Sequence, residues 1–231
     1  MKQQFRLLLF GVLALACVGL LQFVCCTGIA MLRFPDGYSF TDNYLSELGF
    51  MGHPGHTLFN GSLVFLGVSL IPLYGLLWAT DMQGSFSLRA SAVLGLVSAL
   101  GIIGYGSWTY DRQFILHHIA LAMWMFPMLY MVVAFYFGAA QSPVVGIGFL
   151  ATSLVMVVTM IAVLMSTQTT SAQLLQKMVV ICGVVWLGFM VAFVYRAGQT
   201  ILQTWIEDDG SRQKKEQQYL STLTSGQHRR D

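Results

Sequence analysis

The sequence predicts an all-α polytopic membrane protein of six transmembrane helices, and three observations carry that prediction. Of its 231 residues 56% are hydrophobic and 10% charged, where a soluble domain carries about a quarter charged residues. Mean hydropathy is +0.67. Apolar stretches of about 18 residues or more recur along almost the whole length, and in lipid only a helix or closed barrel satisfies its own backbone. These features exclude a soluble enzyme and a secreted disulfide scaffold. The net charge of +2 is too small and dispersed for a nucleic-acid partner.

The spans fall at about 7–31, 57–79, 90–107, 116–138, 143–165 and 177–199, together forming one membrane domain over 1–200. At 1.5 Å per residue each crosses a core of about 30 Å, some with tilt. The first contains Leu13-Ala14-Leu15-Ala16-Cys17, a faint lipobox, yet the apolar run continues to Leu32, so an uncleaved helix is expected. Gln22 is the one strongly polar residue deep inside it. Pro72 and Pro127 should kink the second and fourth spans. Ser91, Gly95 and Ala99 give the third a small-residue seam for close helix contact. Cys17, Cys25, Cys26 and Cys182 lie within apolar spans without metal-binding spacing and read as small packing residues. Residues 201–231 turn polar and are expected to form a disordered cytoplasmic tail.

Basic residues at the span ends set the expected orientation. Lys2, Arg6, Arg89, Arg196, Arg212, Lys214, Lys215, Arg229 and Arg230 fall on one side, and Arg33, Arg112 and Lys177 on the other. Both termini are therefore expected in the cytoplasm, with the chain in a plasma membrane, or the inner membrane of a bacterium. Asp36, Asp42, Glu47, His53, His56, Asp111, His117 and His118 then gather on the extracytoplasmic face, so a polar site would open outward.

Three segments there carry candidate chemistry. The first loop, 34–49, spaces Phe40, Tyr44 and Leu48 as one row of a short helix, capped by Ser39 or Thr41 and stopped by Gly49. It reads as an interfacial helix, or as a re-entrant lid pointing Asp42, Ser46 and Glu47 into a cavity. Next, His53 and His56 flank a Pro-Gly turn ahead of Asn60. Finally, Asp111 and His118 lie seven residues apart, sharing a face about 10 Å along the axis if the stretch is helical, with His117 directed elsewhere. Ionisable groups at a span mouth are default site candidates.

The Tyr44-Leu-Ser46-Glu47-Leu-Gly49 run with Phe59-Asn60, and Gly101-Ile-Ile-Gly104 followed by Asp111 and His117/His118, resemble a prokaryotic family of six-helix membrane proteins. That family is classed as a domain of unknown function and is distantly like the eukaryotic DRAM/Frag/Sfk group. The resemblance covers about residues 5–200. It implies the six-helix architecture and an outward polar face, with Ser46, Glu47, Asn60, Asp111 and one of His117 or His118 as matching positions. It implies no reaction.

Three functions fit these residues. The first is a non-enzymatic protein whose pocket, including Asp42 and Asn60, binds a lipid headgroup, a membrane partner or a second copy of the chain. The second is a hydrolase of lipid or lipid-linked substrates, with Ser46, Glu47, Asp111 and His118 catalytic and His53, His56, His117 and His118 holding Zn²⁺. The third is a small-solute or proton-coupled transporter relaying protons through Asp111 and His118.

Overall fold

The computed structural model describes residues 2–81, 84–139, 146–165 and 172–227. The start of the fifth expected span, at 143–145, and the tail residues Arg229 and Arg230 lie outside them. Among the described residues there are six helices and no strand: α1 (Lys2–Leu32), α2 (His56–Ala79), α3 (Phe86–Ser107), α4 (Phe114–Ala139), α5 (Ile147–Met165) and α6 (Ala172–Gln227). Five are long and apolar enough to cross a membrane, and α5 supplies a shorter apolar stretch, Ile147–Val163. The architecture is the expected all-α polytopic bundle.

Each helix packs against its neighbours in sequence, and α6 returns to α1, which closes the six into a ring. Lipid offers tails as apolar as leucine, so association rests on close approach and interhelical hydrogen bonds. Helix α3 supplies both. Gly95 lies against the Tyr74 ring of α2, while the Ser98 hydroxyl donates to the Trp124 carbonyl of α4 at 3.1 Å. At Gly101 the α3 and α4 backbones touch: a Cβ there would sit 2.3 Å from the Trp124 nitrogen. Gln22 is absorbed likewise, donating to the Ser62 carbonyl of α2 at 2.8 Å. Between α5 and α6 the buried Trp186 indole donates to Ser153 Oγ at 3.0 Å.

The α1–α6 seam is tight at one end. There Leu9 packs on Gly198, Phe5 meets Trp205 edge-on at 5.3 Å and Lys2 pairs with Asp209. α6 also stays helical to Gln227, through residues whose composition predicts a disordered tail. Glu, Gln, Lys, Arg and Leu recur there, all of them good helix formers, and they extend a helix already nucleated by the last span.

At the opposite end the chain leaves α1 through Asp36 and Gly37, both with positive φ (58° and 87°). It then crosses the bundle mouth as a lid. The expected helix over 39–49 is shorter than its row spacing suggests, because only Leu45–Gly49 is helical, as one 3-10 turn. The residues before it form a side-chain-bonded turn instead: Asn43 Oδ1 accepts from the Ser39 amide at 2.9 Å, and Ser39 donates to the Asp42 carboxylate. Such local bonds compete with helix. Gly55 then brings the chain onto the end of α1, where a Cβ would lie 2.9 Å from the Ala30 Cα.

Candidate functional site

The polar residues of the lid hold it together rather than lining a cavity. Glu47 accepts from Asn43 Nδ2 at 2.9 Å and from the Tyr44 amide at 3.1 Å, a capping arrangement for the 3-10 turn. Asp42 is exposed and faces its own turn, where the hydroxyls of Ser39 and then Thr41 hold its carboxyl below the usual carboxylate range. Ser46 reaches the buried Tyr105 of α3. Asn60 of α2 donates to the Gly49 carbonyl at 2.9 Å and pegs the lid's end. Asp111 accepts from the Met51 amide at 3.2 Å, tying the α3–α4 connection to the lid's exit. Tyr38 packs edge-on to Phe34 and Phe40, where burial and then the Glu47 carboxylate push its hydroxyl well above its ordinary value.

The strongest anchor was legible only as an outer-face charge. Lys177, 3% exposed on α6, donates to the backbone carbonyls of Phe40 (2.7 Å), Asn43 and Gln173 (3.2 Å). Gln176, one residue earlier, accepts from the Leu45 amide at 2.8 Å. Together they latch the lid to α6 by its backbone, a use of lysine that no residue spacing announces.

The histidines sort differently from the sequence expectation. α4 begins at Phe114, so Asp111 lies in the preceding turn and shares no helical face with His118. His117 is the buried one, donating through Nδ1 to the Trp108 carbonyl at 2.7 Å and lying 4.3 Å from the Tyr105 ring. His118 is largely exposed and bonds the Phe114 carbonyl. His53 bonds the Glu47 carbonyl and His56 the His53 carbonyl, both at 2.8 Å. Among the described residues no three His, Cys, Asp or Glu side chains come together as a metal site, so the expected His53, His56, His117 and His118 set does not fit zinc. Nor does any of these histidines bond Ser46 through Nδ1, and the residues proposed as catalytic form no nucleophile–base pair.

What lies under the lid is apolar. A cavity of about 230 Å³ sits inside the ring, walled by Phe59 and Leu63 of α2, Tyr105 of α3, His118, Ala122 and Trp124 of α4, and Gln176 and Val179 of α6. A second space of about 400 Å³ runs between α1 and α6, lined by Val24, Thr27, Gly28, Met31, Lys177 and Ile181 among others. Phe23, Leu45 and Val180 belong to both linings and form the partition. The lid residues that reach inward are thus Leu45, which lines both spaces, and Phe40, which lines the second, not Asp42 or Glu47. Thr27 and Trp124 each also leave a buried polar atom without a partner.

A family model described as a protein of unknown function (DUF998) matches residues 16–193. The chain belongs to that family. No curated protein and no solved structure matches it. Family and fold together make this a multi-pass membrane protein of unknown reaction, and the DUF998 match spans the lid, both cavities and the latch.

Proposed function

We propose that this protein binds a membrane lipid without transforming it, with an apolar chain in the cavity inside the ring and the lipid head at the lid. The carrying observation is the apolar cavity roofed by Leu45 and walled by α2, α3, α4 and α6. With its neighbour across the partition it falls within the several-hundred Å³ of ordinary ligand sites, which are mostly apolar with few polar groups. Basic residues concentrated at the Lys2 end favour a cytoplasmic location for both termini, so the lid faces outward from the plasma or bacterial inner membrane. The unpaired Trp124 indole nitrogen supports a ligand carrying hydrogen-bond acceptors, since an unsatisfied buried donor costs about 1–3 kcal/mol.

The hydrolase and transporter readings gain less. Among the described residues the first finds no nucleophile–base pair, and the second no ionisable groups continuing from the lid through the ring. Native mass spectrometry of the detergent-purified protein, beside Ala122→Phe, tests the lipid reading. Retained lipid mass in the parent and its loss in the variant are expected. A parent free of lipid in native-membrane extracts and after lipid addition would overturn the proposal.

A further inference from the structure

The second space lies between α1 and α6, whereas the lining of the first includes the exposed His118 and Phe126 of α4. α1 and α6 are in close contact at the Lys2 end, yet at the lid end they part around a groove of about 400 Å³. Its outer wall includes Val24, Ile181 and Val185, which are 51%, 53% and 48% exposed. On membrane-crossing helices such exposure meets acyl chains rather than water. Among the described residues, Phe23, Leu45 and Val180 line both this groove and the interior cavity, and side-chain rotamers rearrange far faster than helices move.

Charge at this end restricts what can pass. Among the described residues lining either space, Lys177 is the one Lys, Arg, Asp or Glu. Three backbone carbonyls take its ammonium hydrogens, and Glu47 and Asp42 both act on it with negative charge. Arg33 and Arg112 stand at the same end but line neither space. Among the described residues lining the two spaces a phosphate would meet no uncommitted Lys or Arg, with two carboxylates acting nearby, whereas Thr27 and Gln176 offer neutral hydrogen-bonding groups.

We propose that a lipid with an uncharged, hydrogen-bonding head, of the diacylglycerol type, passes from the bilayer into the interior cavity through the groove between α1 and α6. This rests on the lipid-binding reading above and adds the route and the head class. Gly28 provides a clean obstruction: it lines the groove, and a Cβ added there meets nothing within 4 Å. The Cβ of Gly28→Phe therefore has room, and its ring extends into the route.

Trp124 on the interior wall supplies the readout, because bromine atoms on an acyl chain quench a nearby indole. Dioleoylglycerol brominated across its double bonds is added to full-length protein in detergent micelles. Quenching is expected, with the interior component absent in Trp124→Phe. Gly28→Phe slows its onset by about tenfold, a barrier increase of one decade, and Ile181→Ala, which only widens the groove, speeds it. Brominated phosphatidic acid with the same chains quenches several-fold less at equal concentration. Unchanged onset in Gly28→Phe would overturn the route while leaving lipid binding intact. Equal or stronger quenching by phosphatidic acid would overturn the head class. Absence of any Trp124-dependent quenching would remove both the route and the lipid-binding reading beneath it.

Discussion

Replacing Lys177 by Met should free the lid while leaving the ring folded. The two side chains have similar length, so the perturbation is mainly loss of the three donated hydrogen bonds. The Gln173 carbonyl keeps its helical amide partner, being four residues before Lys177. The Phe40 and Asn43 carbonyls lose their donor, at about 1–3 kcal/mol each. Removing a buried charge returns part of that cost, so a net loss of about 2–4 kcal/mol is expected, localised to the lid. Through 1.4 kcal/mol per decade, lid amides should exchange roughly thirty- to several-hundred-fold faster. The Leu45 amide, bonded to Gln176, is the most direct reporter. Hydrogen–deuterium exchange with peptide-level mass spectrometry reads this, with α3 and α4 peptides as internal controls. Unchanged exchange over 40–49 in Lys177→Met would refute the latch.

Other perturbations separate the parts of the fold. Gly101→Ala should cost about 1–3 kcal/mol by forcing α3 from α4, whereas Gly61→Ala, where a Cβ meets nothing within 4 Å, should be neutral or slightly stabilising, both read from melting in detergent. His117→Ala should lower the melting temperature, because it removes a buried ring and its bond to Trp108, while His118→Ala should leave it nearly unchanged; the reverse ranking would contradict the placement of these histidines. Asp42 has its carboxyl pKa depressed in the folded lid, so its contribution is present above the ordinary value of 3.8 and fades as pH falls through the lower folded value. Protection over 39–43, taken relative to the intrinsic exchange rate at each pH, should accordingly fall at acid pH in the parent and lose that dependence in Asp42→Asn.

The bundle was readable because hydropathy needs no partner to be seen: long apolar runs, the small-residue seam of α3 and the lone Gln22 each keep their meaning in isolation. The site was less readable because its roles depend on where elements start. With α4 beginning at Phe114 rather than near Asp111, His117 is buried and His118 is exposed at the edge of the cavity, and a few residues of phase decide between them. Asp42, Glu47 and Asn60 read as pocket groups because carboxylates and amides look alike whether they meet a ligand or a backbone amide. Lys177 bonds backbone carbonyls from the lid and its own helix, and a carbonyl has no identity in the sequence. Leu45, the lid residue that lines both cavities, was one apolar residue among many.

Photo-crosslinking with a diacylglycerol carrying a diazirine in its chain, followed by peptide mapping, would test lipid binding inside the ring most directly. Adducts on the cavity walls, around 121–126 and 176–180, and their loss in Ala122→Phe, are predicted. Adducts confined to outward-facing residues such as Leu15, Val18 and Tyr130, unaffected by that substitution, would contradict it.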